Sequence, residues 1–123
     1  MRAIAVALVA VAILAGCGGG SGGAAQPAGS TKVTMTEYSF NPSTISVPSG
    51  KVVFFLVNAG TVSHDMILRD SSGQRVSGAA SELVSAGDSF VFTITSLQAG
   101  TYAIFCDQPG HEASGMKGTV TAT

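Results

Sequence analysis

The feature that most constrains this chain is a succession of short apolar runs, each closed after a few residues by glycine, proline or asparagine. Lys32 to Glu37 alternates so that Val33 and Met35 share one face, and Thr44 to Val47 does the same with Ile45 and Val47. Pro48-Ser49-Gly50 turns the chain into Lys51 to Val57 (KVVFFLV), the most apolar run, whose β-branched and aromatic content predicts a central strand. Asn58-Ala59-Gly60 ends it. His64 to Arg69 follows, then a polar stretch from Asp70 to Ser81 with a turn at Ser72-Gly73. Ser89 to Thr95 alternates with Phe90, Phe92 and Ile94 on one face, Gln98-Ala99-Gly100 turns into Thr101 to Cys106, and Met116 to Thr121 closes the series. No long helical pattern interrupts it. The expected fold is all-β: an antiparallel Greek-key β-sandwich of seven to eight strands.

The first thirty residues have a different character. Met1-Arg2 gives a positive start, and Ala3 to Leu14 is an unbroken aliphatic run of signal-peptide length, too short to span a bilayer comfortably. It ends in Leu14-Ala15-Gly16-Cys17, which resembles the bacterial lipobox, where cleavage leaves the cysteine as a lipidated N-terminus; the alternative is an ordinary secretory signal with a cysteine after its cleavage site. A single acyl chain holds a protein only marginally, whereas the resemblance implies several chains on Cys17 and a stable membrane anchor. Residues 18–30 (GGGSGGAAQPAGS) show no apolar periodicity and read as a flexible linker with a root-mean-square span of roughly 20 Å. The expected organisation is therefore a signal peptide over residues 1–16, an anchor cysteine and linker over 17–30, and one domain over 31–123.

Charge excludes one large class of partner. Six Lys/Arg oppose seven Asp/Glu, and loss of Arg2 with the leader leaves five against seven, a net −2. With no basic cluster or stripe, nothing points to nucleic acid.

Cysteine usage then narrows the chemistry. Of two cysteines the lipobox takes Cys17, so Cys106 is a lone thiol in an exported protein, where it is exposed to oxidation without a partner. Metal ligation supplies a reason for it. Cys106 opens a C-x4-H-x4-M segment: Pro109-Gly110 turns the chain, His111 returns an imidazole, and Gly115 lets Met116 approach the same point. His64, the only other histidine, lies just after the loop that follows the central strand, and a sandwich can bring that loop beside the C-terminal one at the same end. Each residue alone has a plainer reading, as a surface histidine, an inert buried thiol or a packed methionine; their joint placement is what carries the argument. A thiolate and a thioether favour Cu(I), two imidazoles also suit Cu(II), and this mixture is the pattern of a blue-copper electron-transfer site cycling between the two states. Met116 is expected as the weak axial ligand. Met66, two residues from His64, is its rival and is expected to pack.

Residues 38 to 121 resemble the cupredoxins, specifically small plastocyanin- and auracyanin-like blue-copper proteins. The resemblance is carried by Tyr38-Ser39-Phe40-Asn41-Pro42, Ile45 to Gly50, Val53 to Asn58 with His64, Tyr102 to Cys106, Pro109-Gly110-His111, and Gly115 to Val120. It implies one type 1 copper and one-electron shuttling between membrane-associated redox partners; the leader and lipobox place this on the extracytoplasmic face of a bacterial membrane, periplasmic or cell-surface, and a monomer is expected. It also implies that partners dock near His111, whose ring edge would reach an apolar patch including Pro109 and Ala113. The ligand loop has four residues between cysteine and histidine, as in azurin- and auracyanin-type loops, where plastocyanin has two. Many cupredoxins follow the first histidine with Asn; here Asp65 stands there, either accepting hydrogen bonds from the facing loop or simply solvated.

Rival functions fare less well. Catalytic copper proteins built on such domains need further histidines, and this chain has none to spare, so it is not expected to be an enzyme. A copper-binding or delivery protein is the alternative, although a thiolate in a constrained loop argues for retention. A metal-free β-sandwich adhesion module would leave Cys106 without purpose.

Overall fold

The apolar run at Lys51 to Val57 lies inside a sheet, between two other strands, as its composition predicts. In the computed structural model, which describes residues 23–123, nine strands follow one another: β1 (Thr31–Thr36), β2 (Ser39–Asn41), β3 (Thr44–Val47), β4 (Gly50–Asn58), β5 (Ile67–Arg69), β6 (Arg75–Ala80), β7 (Ser89–Leu97), β8 (Gly100–Phe105) and β9 (Lys117–Ala122). The expected signal peptide and Cys17 lie outside the described residues.

Two sheets form the sandwich, one ordered β2-β1-β4-β7 and the other β3-β9-β8-β5-β6. Their inner faces are the residues the alternation selects: Val33 and Met35 from β1, Ile45 and Val47 from β3, Phe92 and Ile94 from β7, all buried. Phe54 of β4 stacks on Phe92 of β7 with ring centroids 5.9 Å apart. Each such large side chain contributes about 1.5–3 kcal/mol by leaving water.

Two expectations need correction. The strand count is nine, because β2 and β6 carry one buried residue each, Phe40 and Ala79, and so show no apolar alternation. The pairing is mixed: β1 runs parallel to β4 and β3 parallel to β9, in place of an antiparallel arrangement throughout. Within the stretch expected as linker, Ser89 Oγ donates to the Ala24 carbonyl at 2.8 Å and Ser30 Oγ to that of Pro27 at 2.6 Å.

Pairing register explains why one end of the sandwich gathers the chemistry. β1 and β4 run side by side, with Met35 opposite Asn58, so both strands stop at the same end. β5 lies antiparallel to β8 with Ile67 opposite Phe105, which brings the segment before β5 beside Cys106. β9 returns antiparallel to β8 with Lys117 opposite Phe105, which sets Met116 against Cys106.

Candidate metal centre

His64 enters this end on a short bridge rather than a strand. Its amide donates to the Val84 carbonyl at 3.1 Å and its carbonyl accepts from the Val84 amide at 2.8 Å, leaving the side chain fully buried. Cys106, 1% exposed, continues directly from β8. From Asp107 to Gly115 the chain coils back through turns in which the His111 amide donates to the Gln108 carbonyl and the Ser114 amide to that of Gly110, each at 3.0 Å. Gly115 makes the last step with a φ of 109°, a conformation that side-chain-bearing residues avoid.

The donor atoms converge. Nδ1 of His64 and Nδ1 of His111 are 3.2 Å apart, and Cys106 Sγ lies 3.9 Å from the first and 3.5 Å from the second. Met116 is fully buried, and its backbone is bonded to both loop residues: its amide donates to the His111 carbonyl at 3.0 Å and its carbonyl accepts from the Cys106 amide at 3.2 Å. Met66 is equally buried but its backbone bonds instead to Ser81, through the Ser81 hydroxyl and amide.

Around the donors lies a set of polar ties. Asp65, 8% exposed, accepts from the Asp107 amide through Oδ1 at 2.7 Å, so of its two expected roles the structure shows the tie to the facing loop. Asn58, buried, donates through Nδ2 to the carbonyls of Val62 and Val84 at 2.8 Å each, while its Oδ1 accepts from the Gly60 amide at 2.9 Å. Arg69 grips Glu112 with two guanidinium nitrogens, at 2.6 and 2.9 Å, and lies 3.5 Å over the centroid of Phe105. Glu37 was not singled out by the sequence: its Oε1 lies 2.9 Å from His64 Nε2. Burial pushes the Cys106 thiol above its ordinary value, while the Asp65 and Gln108 amides act against the rise, so metal uptake here must displace a proton.

A family described as "Cupredoxin-like domain" matches residues 4–122. The chain is a cupredoxin. The plastocyanin of Daucus carota is 38% identical over 89 residues, covering 68% of this chain and 87% of that protein. The plastocyanin of Lactuca sativa is 34% identical over 88 residues, covering 67% and 85%. Among solved structures, auracyanin B matches with a TM-score of 0.67 at 24% identity, over 85% of this chain and 96% of the other. Auracyanin A, a "blue" copper protein from Chloroflexus aurantiacus, matches with a TM-score of 0.63 at 22% identity, over 77% and 100%, and so shares the fold. Family membership together with the convergent donors makes this cupredoxin a blue-copper electron-transfer protein rather than an enzyme, with a single copper ion as cofactor.

The donor triangle fits such an ion in size. A point about 2.0 Å from both imidazole nitrogens, in the plane of the three atoms, falls about 2.2 Å from the sulfur, near the lengths of first-row metal bonds to histidine and cysteine.

Proposed function

We propose that His64, Cys106 and His111 would hold the copper of this cupredoxin through Nδ1, Sγ and Nδ1, with Met116 supplying a weak thioether. The observation that carries the assignment is the convergence of those three donor atoms within 4.8 Å of one another. Bound there, copper would accept and release one electron by alternating between Cu(II) and Cu(I). The protein's part is to keep the donors from moving. His64 is fixed by its bridge to Val84, and Cys106, His111 and Met116 are joined to one another through their backbones. A cage that keeps its shape in both oxidation states leaves little reorganisation to accompany each electron.

The route outward runs through His111. It is the only one of the three donors not fully buried, and the exposed Tyr38 ring meets it edge-on with centroids 4.9 Å apart. Val62, just before His64, and Leu83, beside its partner Val84, are the other exposed large apolar side chains among the described residues. A patch of that composition suits brief docking by a redox protein, with the cupredoxin acting as a monomer. The lipobox-like Leu14 to Cys17 supports a signal peptide over residues 1–16 and a lipid anchor on Cys17, which would hold the 31–123 domain at the extracytoplasmic face of a bacterial membrane, periplasmic or cell-surface.

Adding Cu(II) to the purified protein tests the ligand set. An intense visible band from thiolate-bound copper is the expected result, bleaching reversibly on reduction and absent in Cys106→Ser. A pale solution would overturn the assignment. Rapid surrender of copper to a chelator would favour a delivery protein instead.

A further inference from the structure

The parallel pairing of β1 with β4 places the residue after β1 against the loop that leads to His64, and that residue is Glu37. Its Oε1 accepts from the amides of Thr61 at 2.9 Å and Val62 at 3.1 Å, and stands 2.9 Å from His64 Nε2. One oxygen therefore collects the loop and the histidine at a single point. We infer that Glu37 is a positioning and tuning residue for the metal centre, holding His64 in the tautomer that leaves Nδ1 free for copper and strengthening that nitrogen as a donor. This rests on His64 being a copper ligand.

Three observations carry it. A carboxylate oxygen is an acceptor only, so the proton of the His64 ring belongs on Nε2, and Nδ1 is left with its lone pair facing Cys106 and His111. The carboxylate is held in place by the loop itself: the same Oε1 accepts from the Thr61 and Val62 amides, which fixes it against the His64 ring. Finally, the loop is shaped to receive it. A Cβ on Gly60 would collide with the Glu37 carboxyl group, yet Gly60 does not adopt a left-handed conformation, so the missing side chain serves space rather than backbone freedom.

The electronic consequence has a definite sign. Negative charge on the far side of an imidazole raises the basicity of its metal-bound nitrogen. A stronger donor favours Cu(II) over Cu(I), so Glu37 lowers the reduction potential.

The test uses the full-length protein with and without copper, as wild type, Glu37→Gln, Glu37→Ala and Gly60→Ala. Nitrogen NMR of the copper-free protein should find His64 in the Nε2–H form in wild type and Glu37→Gln, whose amide oxygen still accepts, and a mixture of tautomers in Glu37→Ala. In the copper-loaded protein, Glu37→Gln should raise the potential with the blue band retained. Glu37→Ala should raise it too and weaken copper binding about 10–100-fold. Gly60→Ala should move both quantities in the direction of Glu37→Ala by displacing the carboxylate it leaves in the chain. If Glu37→Ala fails to fold, the near-isosteric Glu37→Gln potential decides. A blue wild type whose variants match it in tautomer, affinity and potential would overturn the role of Glu37 alone. A colourless wild type would overturn the ligand assignment and the tuning with it.

Discussion

The Asp107 amide donates to Asp65 Oδ1 at 2.7 Å, joining the residue after the first histidine to the residue after the cysteine. The two segments belong to different loops, and no strand pairing fixes them to each other at that point. A carboxylate in this position holds both loops with one charge-assisted bond, which is stronger than an amide side chain would provide. Asp65→Ala leaves the Asp107 amide without its partner. The expected cost is about 1–3 kcal/mol of stability by denaturant unfolding, with faster loss of copper. Asp65→Asn keeps an acceptor and should recover most of the stability while changing the reduction potential. An Asp65→Ala protein with unaltered stability, potential and copper retention would remove the tie from the account.

The two buried methionines differ in what their backbones touch, and that difference predicts opposite behaviour. Met116 is bonded through its main chain to His111 and Cys106, Met66 to Ser81. Met116→Leu is expected to keep the intense band and raise the potential, since loss of a weak donor disfavours Cu(II). Met66→Leu, a near-isosteric change in a packed core, should cost less than about 1.5 kcal/mol and leave the spectrum alone. Voltammetry and visible spectra of both variants check this; the reverse pattern would reassign the axial ligand.

The core and the loop from Cys106 to Met116 were legible in the sequence for a physical reason: both are local patterns. Alternation at Val33/Met35, Ile45/Val47 and Phe92/Ile94 marks the buried faces directly, and the Cys106–His111–Met116 spacing is read along one loop. What stayed hidden depends on which strand lies beside which. β6 is an edge strand with only Ala79 buried, so its exposed residues look like a loop. Glu37 is an ordinary charged residue at a strand end until β1 pairs parallel to β4 and carries it to the loop at Thr61. Ala24 likewise looks like linker, and only the arrival of Ser89 gives it a partner. The glycine at 60 was the one available signal for Glu37, but read alone it marks a turn.

Arg69 reaches both sides of the ligand loop at once, gripping Glu112 beside His111 and covering the ring of Phe105 beside Cys106. Lysine would keep the charge but lose the fork and the flat face. The pair with Glu112 is about a third exposed, so solvent screens its electrostatic share. Arg69→Lys is therefore expected to cost only about 1 kcal/mol, while releasing the loop enough to speed copper capture by a chelator. Raising the salt concentration should weaken the grip on Glu112 more than the stacking on Phe105. Stopped-flow capture rates equal to wild type would show that the loop's internal hydrogen bonds suffice.

Asp70 gives the fold a dependence on acid remote from the metal centre. Its Oδ1 accepts from the Ser72 hydroxyl at 2.6 Å, the Ser72 amide at 2.9 Å and the Gln74 amide at 3.1 Å, closing the turn between β5 and β6. These bonds, the Ser72 hydroxyl first among them, hold its carboxyl below the ordinary 3.8. A carboxylate whose folded pKa lies beneath its unfolded one stabilises the protein above the unfolded value, and that stabilisation disappears as the pH falls through the folded value. Asp70→Ala should consequently melt below wild type by a constant margin near neutrality, and the margin should narrow steadily as the pH drops beneath 3.8. Thermal unfolding followed by circular dichroism across that range measures it, with copper-free protein used throughout so that loss of copper in acid does not enter. A margin that stayed fixed into strong acid would mean the turn is closed by its shape and not by the charge on Asp70.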